Sequence, residues 1–250
     1  EEESAVNSRG YVYLGGNIRN IYILLLLSLS FGTVTDIDGN VYETVQIGDQ
    51  LWMAENLKVT HYNDGSEIPT GLSNEQWTEF GDNGTQTGAY AIYDDDPANA
   101  EIYGNLYNWY AVDDDRGVCP EGWYVPTDDE WKELEMALGM SQSEANSSGW
   151  RGTNEGSKLA GNYDLWTSVY SANDLVNDSE FGTSGFTALP SGYRDDNSGN
   201  YNNIGGGYFW SSSDFIYYDS YSGNDIIVVW TRSLSNDCLL YTSPSPRDRG

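Results

Sequence analysis

Val41-Tyr42-Glu43-Thr44-Val45-Gln46-Ile47, then Gly48-Asp49-Gln50, then Leu51-Trp52-Met53-Ala54, is the stretch that decides the fold class. β-Branched and aromatic residues alternate with polar ones, which is the period-2 pattern of a half-buried strand. Val41, Glu43, Val45 and Ile47 then share one face, and Tyr42, Thr44 and Gln46 share the other. Gly48-Asp49-Gln50 is a turn, so the segment is a hairpin or meander that starts at Thr33-Val34-Thr35. Between these lies Asp36-Ile37-Asp38-Gly39-Asn40. It opens like a calcium loop, but Val41 and Ile47 stand where an EF-hand needs Gly and Glu, so it is read as a polar turn.

Outward from the hairpin, two helices announce their starts. Ser73 with Gln76 makes a capping box ahead of Trp77 and Phe80. Thr127 with Glu130 makes another ahead of Trp131, Leu134 and Leu138, which fall at helical spacing, and Gly139 ends that helix. After Gly149 come short aromatic strands between Gly, Asn, Ser and Asp: 185–190, 207–213 and 226–232. One or two helices among short antiparallel strands and long loops make an α+β domain.

Both ends read as foreign to that domain. Cys238-Leu239-Leu240-Tyr241-Thr242-Ser243-Pro244-Ser245-Pro246-Arg247-Asp248 back-translates to the read-through of a transposase-based sequencing adapter, so 238–250 is set aside from fold reasoning. Near the start, Arg19-Asn20 precedes the apolar run Ile21–Phe31. That is the length of a signal-peptide core and too short to span a bilayer. Residues 18–32 are therefore expected to be a signal peptide, and 1–17 upstream sequence without structure. The mature domain is expected at 33–237, secreted or at the cell surface, with no membrane insertion after cleavage. No Cys follows the apolar run, which argues against a lipid anchor.

The formal net charge of −28 lies wholly within 33–237, because the discarded ends hold four basic and four acidic residues. Such a surface repels phosphate backbones, so nucleic acid is excluded as a partner. Nine Trp and twenty Tyr argue against the disorder that high charge otherwise implies, because each needs ~150–250 Å² of burial. With Cys238 set aside, Cys119 stands alone, and a Cys119–Cys238 disulfide is rejected.

Catalytic devices are thin. His61, the single His, precedes a turn and is read as a solvated loop residue. One His and one Cys do not make a zinc site. Asp94-Asp95-Asp96 and Asp113-Asp114-Asp115 admit calcium as the one cofactor to consider, although acidic runs are more commonly solvated loops. The stronger functional signal is aromatic. Tyr217, Tyr218 and Tyr221 share a late loop with Asp214, Asp219 and Asn224, and Tyr193-Arg194-Asp195-Asp196 forms another. Tyr, Asn and Asp on loops suit sugar stacking and protein recognition. Arg194 equally fits a structural role, pinning its loop to the core. Trp52, Trp109, Trp123, Trp131 and Trp210 are read as core.

Several phrases together carry a resemblance. They are Val41–Leu57, Tyr62-Asn63-Asp64-Gly65, Gly88-Ala89-Tyr90, Tyr103-Gly104-Asn105-Leu106-Tyr107-Asn108-Trp109, Cys119-Pro120-Glu121-Gly122-Trp123-Tyr124-Val125-Pro126-Thr127, Gly185–Arg194 and Phe209-Trp210-Ser211-Ser212-Ser213. In this order they resemble the Fibrobacter succinogenes major paralogous domain. The resemblance implies an exported or surface protein with a fold similar to the C-type-lectin-like and formylglycine-generating-enzyme-like group, and brings no firm activity with it. Tyr124 stands where the family usually has His, and a closing strand with a Cys partner for Cys119 is missing. The formylglycine chemistry needs a cysteine pair, and the calcium-lectin signatures are absent. The expectation is a non-catalytic binding or adhesion domain for polysaccharide or a surface protein, with a modifying enzyme or a structural matrix component as alternatives.

Overall fold

Strands β1 (Thr33–Thr35), β2 (Val41–Ile47) and β3 (Gln50–Met53) form an antiparallel sheet in that order. Thr35 sits opposite Val41 and Val45 opposite Trp52. The computed structural model describes residues 32–80, 85–168, 174–219, 224–236 and 240–246; the signal and upstream segments and Tyr221 lie outside them.

The alternation of β2 is not uniform. Tyr42 and Thr44 are buried in its first half, Val45 and Ile47 in its second, and Val41, Glu43 and Gln46 are exposed. The strand passes between two packed environments, so each face is covered along only half its length. The Tyr42 hydroxyl donates to Asp36 Oδ2 at 2.6 Å and accepts from the Lys58 N–H at 2.9 Å. Asp36 also accepts the N–H groups of Asp38 and Asn40 at 3.0 and 2.9 Å, so the polar turn is closed by a carboxylate working on its own backbone.

Six α-helices occur among the described residues: α1 (Asn74–Phe80), α2 (Pro97–Tyr103), α3 (Trp109–Val112), α4 (Asp128–Ala137), α5 (Gln142–Ala145) and α6 (Glu155–Leu159). The sequence expectation of one or two found the two with apolar faces, α1 and α4. The other four are short. α2 has Asp96 as its cap and Pro97 at its start, and α5 has a capping box from Ser141 and Glu144, but neither carries an apolar stripe. In α4 the Thr127 side chain accepts the Glu130 N–H, and Glu130 returns a bond to the Thr127 N–H. Asp128, Asp129 and Glu130 occupy its first turn. There the helix dipole favours acids by ~0.3–1 kcal/mol each.

Two short ladders follow the chain across the molecule: β4 (Tyr90–Ala91) with β5 (Leu106–Tyr107), and β7 (Tyr193–Arg194) with β8 (Tyr201–Asn202). The largest sheet has the order β6-β11-β10-β9, from β6 (Gly149–Arg151), β11 (Leu240–Pro246), β10 (Asn224–Leu234) and β9 (Gly207–Asp219). β9 and β10 are long, against the expectation of short strands throughout, because a single hairpin joins the separate aromatic phrases at 207–213 and 226–232 to the polar residues between them. Residues 185–190 form no strand; Ala188 makes an isolated parallel bridge to Ala160.

The tail also departs from expectation. Leu240–Pro246, set aside on its back-translation, is strand β11, with Leu240 and Thr242 buried. Strand addition is mostly backbone bonding to the open side of β10, so it demands little of the added sequence. Pro244 and Pro246 lie beyond the last pair with β6 and stand opposite Trp230 and Val228 of β10.

The main core gathers Val45, Ile47, Trp52, Trp131, Leu134, Leu159, Phe186, Leu234 and Leu240. Trp131 is its hub, with ring centroids 5.1 Å from Trp52, 5.9 Å from Phe186 and 5.8 Å from Phe209. Fully burying an apolar side chain stabilises by ~1.5–3 kcal/mol, so this cluster supplies much of the fold's stability. A second cluster packs Val59, Ile68, Ala111 and Val118 around Tyr62 and Tyr90.

Candidate functional site

α4, the turn before it, β3, the β7–β8 ladder and the start of β9 surround a cleft of about 1300 Å³. That exceeds the ~300–1,000 Å³ of ordinary small-molecule pockets and suits an extended ligand. Its walls present aromatic side chains in reach of solvent. Tyr124 is 67 % exposed and Trp150 52 %, while Trp123, Tyr193 and Trp210 are half-buried. The reading of Trp52, Trp109 and Trp131 as core holds. Trp123 and Trp210 are corrected to cleft residues.

Each platform is held by a specific contact. The Tyr193 and Tyr208 rings pack edge to face at 4.9 Å, and the Asn203 amide donates to the Tyr208 hydroxyl. Trp210 donates Nε1–H to the Tyr107 carbonyl at 2.9 Å and stands edge-on to Trp109 at 5.5 Å. Trp150 lies 5.0 Å from the Tyr241 ring across β6 and β11. The Tyr124 hydroxyl donates to Glu130 Oε1 at 2.5 Å. Burial raises the Glu130 pKa, but donors from Tyr124 and from the N–H and hydroxyl of Thr127 outweigh it and hold the carboxyl below its ordinary value. Bonding to that carboxylate pushes the Tyr124 phenol up.

Polar groups line the spaces between the rings: Asp49, Gln50, Glu55, Glu130, Asp195, Asp196 and Asn203. Asp195 Oδ1 accepts the Ser198 N–H at 2.8 Å and its hydroxyl at 2.7 Å, closing its loop. Among the described lining residues Arg194 is the one cation, and its guanidinium is 1 % exposed. It lies 4.6 Å from the Trp77 ring and 4.8 Å from the Tyr201 ring. It donates to the carbonyls of Gly199 and Leu72 at 2.9 and 2.8 Å. Arg194 therefore fastens the loop to α1.

The structure thus brings Tyr193, Arg194, Asp195 and Asp196 to one cleft, whose described lining does not include Tyr218 of the other predicted cluster. Tyr217 and Tyr218 sit on β9, not in a loop; Tyr218 is 62 % exposed and is not among the described lining residues. Trp123, Tyr124, Trp150 and Tyr208 were missed as site residues. Tyr124 carried a usable signal, a change from the residue usual at that position.

No group of three or more His, Cys, Asp or Glu that could hold a metal occurs among the described residues. The acidic runs serve local structure: Asp95 accepts the Tyr201 hydroxyl at 2.6 Å, Asp96 caps α2, and Asp114 pairs with Arg116 at 2.7 Å. His61 is more engaged than a solvated residue, with Nδ1 2.6 Å from Asp38 Oδ1 and a bridge to Glu67. Cys119 lines the cleft as a free thiol, and burial pushes its pKa up to about 11, which disfavours the thiolate that nucleophilic or redox chemistry needs.

The family model for the Fibrobacter succinogenes major domain matches residues 45–234. The chain belongs to that family. The match takes in the described cleft lining except Ser235 and Tyr241. No curated protein and no solved structure matches the chain. The mixed α and β architecture, with its antiparallel sheets, accords with the α+β expectation.

Proposed function

We propose that this Fibrobacter succinogenes major domain is an exported, non-catalytic binding module that takes a neutral polysaccharide chain into the aromatic cleft. One observation carries the reading. The cleft alternates solvent-reaching aromatic faces with carboxylate and amide groups, and its single described cation is buried and engaged. Sugar rings present apolar C–H faces that stack on Trp and Tyr, and hydroxyls that bond to carboxylates and amides. Glu130 and Asp195 are held in place by their own partners, so they meet a sugar hydroxyl with little ordering cost. A net charge of −28 and the cleft carboxylates oppose uronate or sulfate chains.

Affinity electrophoresis of the purified protein through gels of β-glucan, xylan or mannan, with alginate and pectate as anionic comparisons, tests this. Retardation is expected in at least one neutral gel and in neither anionic one. Tyr193→Ala and Trp123→Ala should each weaken it roughly tenfold, in line with the cost of removing a buried aromatic anchor. Migration unaffected by every neutral polysaccharide, or equal retardation by alginate, would remove the basis of the reading.

A further inference from the structure

Strand register sets four cleft residues in one line. Trp150 of β6 stands opposite Tyr241 of β11, Tyr241 opposite Ser233 of β10, and Ser233 opposite Tyr208 of β9. Directly opposed residues point to the same face of a sheet, and all four line the cleft. Two positions along, Trp210 opposite Thr231 continues that face, and both line the cleft as well. The row between, Phe209, Arg232 and Thr242, points the other way: Arg232 bonds to Glu135 of α4 and Phe209 packs on Trp131. Alternation along β9, β10 and β11 therefore turns one row to the helix and the next to the cleft.

The row is aromatic at its ends and small in its middle. At one end Tyr208 holds the Tyr193 ring edge to face at 4.9 Å, and at the other Trp150 lies 5.0 Å from Tyr241. Tyr208 and Trp150 are exposed, and Ser233 and Tyr241 are half-buried. Ser233 has a short side chain whose hydroxyl can both donate and accept. Neighbouring strands lie ~4.7–4.9 Å apart, so Tyr208 and Tyr241, two strands from each other, are separated by about 10 Å with Ser233 between them. One sugar ring is too small to stack on both aromatic pairs.

We infer that the cleft takes an internal run of at least three consecutive rings of an extended, β-linked glycan laid across the strands: one ring against Tyr193 and Tyr208, one over Ser233, and one against Trp150 and Tyr241. This rests on the polysaccharide reading of the cleft and adds to it the direction of the chain, its minimum length and a second platform. Each aromatic pair buries the apolar face of its own ring, and the middle ring meets the Ser233 hydroxyl. Both pairs are already packed before a ligand arrives, so little side-chain ordering is needed on binding. An extended chain follows a single cross-strand row, whereas a coiled, α-linked one curves away from it before reaching the second pair.

The test is isothermal titration of the full chain with cello-, xylo- and manno-oligosaccharides from disaccharide to hexasaccharide. In the series whose polymer retards the protein, affinity is expected to rise at least about tenfold between disaccharide and hexasaccharide, as the ligand gains its second aromatic anchor. Trp150→Ala should flatten that rise, and Trp150→Tyr, which keeps a ring at the position, should restore most of it; urea midpoints of both variants check that β6 stays paired. Equal affinity for the short and long oligomers would overturn the inference. So would a length dependence that survives Trp150→Ala in a folded protein. Either result leaves polysaccharide retardation, and with it the reading of the cleft, in place. Failure of every neutral polymer to retard the protein would remove both.

Discussion

Arg232 on β10 donates Nε–H to Glu135 Oε1 on α4 at 2.7 Å, with both side chains only 1 % exposed. The other Glu135 oxygen accepts from Arg151 Nη2 at 2.6 Å, and Arg232 Nη2 lies 2.8 Å from Asp128 Oδ1. Lys132 closes the network on Asp128 at 2.6 Å. Two carboxylates and three cations thus tie α4 to β6 and β10 beneath the cleft. Desolvation offsets much of their attraction, so the network is worth more as a constraint on how α4 sits than as net stability.

Removing one member should therefore cost more than removing several. Glu135→Gln leaves Arg151 and Arg232 facing each other in the core and should destabilise by ~3–5 kcal/mol. The triple change Glu135→Leu, Arg151→Met, Arg232→Met should cost less than the single one. Urea midpoints by tryptophan fluorescence measure both, and a single variant milder than the triple would contradict the account.

Acid should loosen the turn that carries Tyr124. Donors from Tyr124 and Thr127 hold the Glu130 carboxyl below its ordinary value of 4.5, despite the opposing effect of burial. A depressed carboxyl contributes its full stability above that value and loses it as pH falls through the lower folded pKa. Between pH 7 and 5 this contribution should stay flat, and below ~4.5 it should decline. Thr127→Ala should shrink the decline, read as the difference in urea midpoint between pH 7 and pH 3.5.

Cys119 should react sluggishly. With its pKa pushed up to about 11 by burial, the folded thiol is almost wholly protonated at pH 8. Alkylation by iodoacetamide is expected at under roughly a tenth of the rate of an unstructured cysteine, rising to that rate in urea. Mass spectrometry over time reads both. Fast labelling of the folded chain would show an exposed or activated thiol.

Arg194 should resist conservative replacement. Its flat guanidinium faces Trp77 and Tyr201 while donating to Leu72 and Gly199, which an ammonium cannot match in shape or donor number. Arg194→Lys should cost ~1–3 kcal/mol and also weaken polysaccharide retardation by loosening Tyr193. A variant of unchanged stability would place the guanidinium outside the loop's support.

Salt should stabilise the protein as a whole. Self-repulsion at a net charge of −28 is screened as the Debye length shrinks from ~30 Å at 0.01 M to ~3 Å at 1 M. The apparent melting temperature should rise between those concentrations and level off. A flat or falling curve would mean that the acidic surface carries little strain.

What could be read from the sequence lay mostly within a few residues. Ser73 with Gln76 and Thr127 with Glu130 bond as capping pairs within their own turns, so α1 and α4 were visible. The strand pattern of Val41–Ile47 was also visible, but not the change of buried face at Val45, which depends on what packs against each half. For the cleft, Tyr193, Asp195 and Asp196 were found because they share one loop. Trp123, Trp150 and Tyr208 come from three separate segments, and an aromatic residue looks the same in sequence whether it fills a core or lines a wall.

Residue order alone fixed the hairpin at the start, the two capped helices and the family, because each rests on neighbours or on phrases kept in sequence. Tertiary structure decided the rest. Arg232 meets Glu135 across 97 residues, Arg194 turns inward between two rings, and the cleft closes around side chains from opposite ends of the domain. Contacts of that range leave no period and no spacing in the chain, since they are selected by the shape and dielectric of a site that exists only after folding.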